Sequence, residues 1–291
     1  MSVLAAPDWE LDYYSRPIVD ADGKKRWELL ICSTPAASEH KPAFEWVLPC
    51  PAGSVNSIWL REALEQAIAD AAAQGLGRPR RLRCWRGAMR TMVQRAAEGL
   101  GLELVPSRRC YALVTWLQQR EQQVYPAEEG YLAGPLAPPP EPIRAAALPI
   151  PETARGESWA WASLPLEALA EAQQWPIDFA GLTPLPQAVG DGASVPGIRL
   201  FGGNRALAIA GWIAGLEPVR LEVDGRQLVL EAGLEDRWLL SDLSSEEAPE
   251  AAAALRAARE QCGGLQFLAV QASPSDQRFS GFWMLRDLPD R

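Results

Sequence analysis

The sequence predicts an α/β and α+β protein: an N-terminal ribonuclease-H-like mixed sheet with flanking helices, followed by a C-terminal α+β domain. Three observations lead there. Residues 9–123 read as strands and helices in the order β-β-β-α-β-α-β-α, which is the order of that fold. The stretch from Pro126 to Pro151 holds eight prolines and divides the chain. The 291 residues are 48% apolar, enough for a core on each side of that divide. Proline fixes φ and lacks an N–H, so residues 131–155 are expected to be a linker between domains at 1–130 and 156–291.

Each element has a local reason. Trp9–Ile18 reads as a strand that ends at the turn Asp20-Ala21-Asp22-Gly23, and Arg26–Cys32 returns from it. Phe44, Trp46 and Leu48 alternate with Glu45 and Val47, a third strand with one buried face. Leu60, Leu64, Ala67, Ile68 and Ala71 recur at helical spacing until Gly75 and Gly77. Arg80–Trp85 is a short strand. Met89, Met92, Val93, Ala96 and Leu100 form the next helix, and Leu102–Val105 the next strand. Ser107 is expected to cap a third helix that carries Leu113, Val114 and Leu117.

The second half reads less evenly. Ile198–Phe201 is a strand, and Asn204–Ala214 a helix with Gly215 as its C-cap. Val219–Val223 and Gln227–Glu231 form a hairpin through Asp224-Gly225. Ser244 and Glu247 make a capping box for a helix that ends at Gly263-Gly264. Leu265–Gln271 and Phe279–Leu285 are apolar strands.

Composition excludes several function classes. The five cysteines show no CxxC pair, so neither a disulfide framework nor a zinc site is expected. The one histidine, His40, lies in a proline-flanked loop, which is poor support for a catalytic triad. No run of about 18 apolar residues exists, so no membrane insertion is expected. The N-terminus lacks the features of a secretory signal or transit peptide, and the protein is expected to be cytoplasmic. No phosphate-loop motif is present, and no cofactor is expected.

Net charge is −9, yet the segment Arg78–Arg109 holds nine arginines against Glu98 and Glu103. A positive segment on an acidic body suits a binding face for an anionic polymer. Arg81 and Arg83 share one face of a strand. Arg86 and Arg90 are expected four apart on one helix. Arg108 and Arg109 are expected in a helix first turn, where the dipole disfavours cations unless an anion docks there. Trp85 within the cluster offers a ring for base stacking. The expected RNA-binding residues are therefore Arg81, Arg83, Trp85, Arg86, Arg90, Arg108 and Arg109. A two-metal nuclease needs acids on the first strand, the first helix and the end of the fourth strand. Asp12 and Glu62 or Glu65 meet the first two needs, but the last position reads Cys84-Trp85-Arg86. No catalytic residue and no metal site is therefore expected.

Several strings resemble one family. They are Trp9–Ile18, Lys24–Cys32, Trp85-Arg86-Gly87-Ala88-Met89, Pro106–Leu113, Asp236–Leu240, Phe267–Gln271 and Gly281–Asp287. Together they look like the Tab2/Atab2 family of cyanobacteria and plastids. The resemblance implies an RNA-binding, non-catalytic protein that supports translation of photosystem I subunits, here a cyanobacterial member. Its implied partners are RNA, the messages for those subunits, and translation or assembly proteins. Two positions depart from the family pattern: Cys32-Ser33 where an acid is expected, and Gln266 where histidine is. The alternatives are a protein-binding assembly factor for photosystem biogenesis and a metal-dependent nuclease.

Overall fold

The computed structural model describes residues 8–39, 41–133, 145–186 and 192–288. Residues 134–144, the middle of the expected linker, and His40 lie outside the described residues. The chain divides into two compact units, Met1–Pro35 with Lys41–Pro142, and Ala36–His40 with Ile143–Arg291.

The first unit runs β1 (Asp8–Val19), β2 (Lys25–Ser33), β3 (Glu45–Cys50), α1 (Ser57–Ala73), β4 (Arg81–Cys84), α2 (Arg90–Glu98), β5 (Glu103–Pro106) and α3 (Tyr111–Gln123). Its sheet has the order β3-β2-β1-β4-β5. β2 is antiparallel to both of its neighbours, whereas β1, β4 and β5 are parallel. This is the ribonuclease-H-like arrangement read from the sequence. The β1–β2 hairpin turns where expected, with Gly23 at φ 79°, a conformation that favours glycine. Asn56 caps α1 by accepting from the N–H groups of Ile58 and Trp59, both at 2.9 Å.

β1 sorts its side chains by parity. Trp9, Leu11 and Tyr13 pack with Leu29, Ile31, Leu60, Leu64 and Val93 in the main core. Glu10 and Asp12 point the other way, and both are buried. On that second face Leu30, Cys32, Cys110 and Leu113 form a smaller apolar cluster. All five cysteines are buried and free.

Two expectations about helix starts need correction. α3 begins at Tyr111 with Cys110 as its N-cap residue, so Arg108 and Arg109 precede the helix. The Ser107 hydroxyl accepts from the Arg109 N–H at 3.0 Å and closes a local turn instead. Arg86 likewise precedes α2, separated from it by a single 3₁₀ turn over Gly87–Met89.

The second unit contains β6 (Leu148–Pro149), β7 (Ser158–Pro165), α4 (Leu166–Ala170), β8 (Ile177–Gly181), β9 (Ser194–Phe201), α5 (Ala206–Leu216), β10 (Pro218–Asp224), β11 (Gln227–Ala232), β12 (Asp236–Asp242), α6 (Glu247–Gln261), β13 (Leu265–Gln271) and β14 (Phe279–Arg286). They form a five-stranded sheet, β7-β9-β13-β14-β8, and a four-stranded sheet, β10-β11-β12-β6. The capping box is present, with Ser244 and Glu247 bonded reciprocally at 3.0 Å. α5 runs through Gly215 to Leu216, and Glu217 takes the left-handed C-cap at φ 56°, a correction to the expected glycine cap. The departure at Gln266 is accommodated in the interior: its side-chain amide accepts from Leu221 N–H at 2.7 Å and donates to Leu221 C=O.

Candidate nucleic-acid interface

β1 places Asp8, Glu10 and Asp12 two residues apart, so their side chains form one acidic row. The parallel pairing sets Asp8 opposite Arg81 and Glu10 opposite Arg83. Acid and arginine rows therefore lie side by side. Asp8 receives Arg81 through Nε at 3.0 Å and through Nη2, and Arg83 Nη1 lies 3.2 Å from it. Arg83 is 8% exposed and Arg81 partly buried.

Glu10 is fully enclosed and accepts from the Leu113 N–H in the first turn of α3 at 2.9 Å. A carboxylate at a helix N-terminus satisfies a donor that the helix itself cannot, and it favours the dipole. The acceptor at this helix start is thus an internal carboxyl group. Burial pushes the Glu10 pKa up to about 7, against the lowering pull of the Leu113 N–H and the Arg83 guanidinium.

Asp12 is the hub. Its Oδ2 accepts from Arg16 Nη1 at 2.8 Å, and its Oδ1 from Trp85 Nε1 at 3.0 Å. Arg86 grips both oxygens, Oδ1 through Nε and Oδ2 through Nη2. Burial pushes the Asp12 pKa up, but Arg16 and Arg86 outweigh it and hold the group below the usual carboxylate range. Glu28 on β2 extends the network to Arg16, Arg120 and the Tyr125 hydroxyl, which donates to it at 2.8 Å. Among the described residues, no group of three or more His, Cys, Asp or Glu is placed to hold a metal ion.

The register brings Arg86 and Arg108 to one end of the sheet. Cys84 pairs with Pro106, and each arginine lies two residues beyond. That end is the carboxyl edge of the parallel strands β1, β4 and β5, where ligands of α/β sheets commonly dock. Arg86 and Trp85 are partly exposed there, Arg108 is half-buried, and Arg109 is buried. Arg90, first residue of α2, is exposed, as is Arg95 on the same helix. Neither makes a side-chain hydrogen bond or ion pair among the described residues. Tyr14 was missed by sequence reasoning. It is 37% exposed, and the Arg86 guanidinium lies 4.2 Å from its ring centre. The period-two run Asp8-Glu10-Asp12 opposite Arg81-Arg83 was the signal for the internal pairing.

Comparison with known proteins covers both units. A family model described as the N-terminal part of the RNA-binding protein Tab2/Atab2 matches residues 8–120, and one for the C-terminal domain matches residues 138–286. A Zea mays protein described as "Protein TAB2 homolog, chloroplastic" is 37% identical, with 97% of this chain and 72% of the relative covered. The Arabidopsis thaliana protein of the same description is 32% identical, covering 97% of this chain and 75% of the relative.

Proposed function

The chain belongs to the family of the RNA-binding protein Tab2/Atab2, and from that premise we propose that it binds RNA without catalysis and supports translation of photosystem I subunits in the cytoplasm. The observation that carries this reading is the family match over both units. No helix among the described residues is long and apolar enough to cross a membrane.

The residues we assign to RNA come from the arginine segment. Arg86, Arg90 and Arg108 would contact phosphates or bases at the carboxyl edge of the sheet, beside Trp85. Arg81, Arg83 and Arg109 belong to the same set, and their burial suits a role in building that edge. Ultraviolet crosslinking to single-stranded RNA followed by peptide mapping tests the assignment. Crosslinks concentrated in residues 85–90 and 108–111 are expected; crosslinks confined to the second unit would contradict it.

A nuclease reading loses support at Asp12. Two guanidiniums and an indole N–H crowd its carboxylate, where a catalytic acid would face divalent ions. A protein-binding assembly role is favoured by one observation. α5 is apolar throughout, yet Leu207 on it is 54% exposed, and Phe179 on β8 is 36% exposed. Partners retained in pull-downs after high salt and ribonuclease would favour that role over RNA binding.

A further inference from the structure

The Arg86 side chain is held more firmly than an ordinary surface arginine. Asp12 is wholly buried and fixes it through Nε and Nη2, the side of the guanidinium nearest its own stem. Its planar group lies 4.2 Å from the Tyr14 ring centre and 4.4 Å from that of Trp85. Tyr14 and Trp85 both pack against the guanidinium and make no ring contact with each other. Trp85 is itself pinned to Asp12 by its indole N–H, and Tyr14 leans on Trp27 at 5.6 Å. The position of the guanidinium and its two aromatic contacts are therefore set before any ligand arrives.

One side of the fork remains available. Arg86 Nη1 makes no hydrogen bond among the described residues. It is also absent from the buried polar atoms that lack a partner, so it meets solvent. With Nε and one Nη2 hydrogen committed to Asp12, the end-on pair of donors, on Nη1 and Nη2, points away from the acid. Two parallel N–H groups in that arrangement match the O6 and N7 acceptors of guanine. A base that lies in the plane of the guanidinium extends a slot lined by Tyr14 and Trp85, where flat aromatic surfaces favour it over a tetrahedral phosphate.

We propose that Tyr14, Trp85 and Arg86 form a recognition subsite for one unpaired guanine of the bound RNA. This rests on the reading that the chain binds RNA. Tyr14 and Trp85 are the walls, Arg86 reads the base edge, and Asp12 is a positioning residue that orients the fork. Holding the arginine in advance spares the ordering cost that a free side chain would bear on binding.

The test uses the full chain and fluorescence polarisation with labelled single-stranded (GU)₆ RNA. A second probe replaces every guanine by 7-deazaguanine, which lacks the N7 acceptor. A third replaces guanine by inosine, which keeps O6 and N7. The wild type should bind the guanine and inosine probes alike and the 7-deaza probe about fivefold more weakly, the scale of losing one arm of a bidentate base contact. Tyr14→Ala and Arg86→Lys should each abolish that discrimination while RNA binding persists. Equal affinity of the wild type for guanine and 7-deazaguanine probes would mean that the fork grips phosphate, and would overturn the guanine assignment. Discrimination preserved in Tyr14→Ala would overturn the slot. Failure of the wild type to bind any of the three RNAs at low salt would instead sink the RNA-binding reading itself. The wild-type comparison of probes needs no variant, so a folding defect in Arg86→Lys does not spoil the test.

Discussion

Asp12 shows how one residue decides between two functional readings. It occupies the first-strand position that a ribonuclease-H-like nuclease would use for metal, yet its buried carboxylate neutralises Arg16 and Arg86. Asp12→Asn should therefore act on stability: removing the charge leaves Arg86 without its acid and Arg16, 3% exposed, with Glu28 alone, and should cost about 3 kcal/mol. Urea unfolding checks this, and a variant as stable as the wild type would contradict it. Glu10 gives a different signature. Burial, the largest influence, raises its pKa from 4.5 to about 7 in the folded chain. The folded state thus holds a proton that the unfolded state releases. Its contribution to stability is full below pH 4.5 and is lost as pH rises to about 7. The neutral isostere Glu10→Gln should flatten the fall in urea midpoint between pH 5 and pH 8. An equally steep fall in the variant would place the titrating group elsewhere.

Among the elements, α1 and α2 carry the clearest local predictions. Asn56 satisfies two N–H groups at the start of α1, so Asn56→Ala should cost about 1 kcal/mol by chemical denaturation. Arg90 and Arg95 stand exposed on α2, so Arg90→Ala with Arg95→Ala should leave stability within about 0.5 kcal/mol. Elements with strong periodicity or punctuation were legible: β1 to β5, the hairpins at Gly23 and Gly225, and α6 with its capping box. β7, β8 and β12 were not. β7 reads Trp159-Ala160-Trp161-Ala162-Ser163-Leu164 with no charged residue, so it lacks the apolar-to-charged contrast that marks a half-buried strand. β8 is a five-residue edge strand, and most of β12 is only half-buried. The start of α3 misled for another reason. Its capping group, Glu10, lies more than a hundred residues away in sequence, beyond any local signal.

At the scale of the whole molecule, the arginine segment proves to be two things at once. The charge excess in Arg78–Arg109 was legible, and so was the sheet edge to which β4 and β5 deliver Arg86 and Arg108. What pairing hid was the division of labour. Acids spaced by two on β1 take up Arg81, Arg83 and Arg86, while Arg90 stays open to solvent. A net charge of −9 then leaves a local positive edge on a body that repels nucleic acid elsewhere. The proposed docking of RNA on this edge is open to direct measurement. Its most direct test is the salt dependence of single-stranded RNA affinity for the wild type and for Arg90→Ala with Arg108→Ala, each checked for unchanged unfolding midpoint. Two lost phosphate contacts should weaken binding and lower the slope of log K against log salt by about 1.4, at about 0.7 per single-strand phosphate. Affinity and slope equal to those of the wild type would contradict the assignment of RNA to this edge.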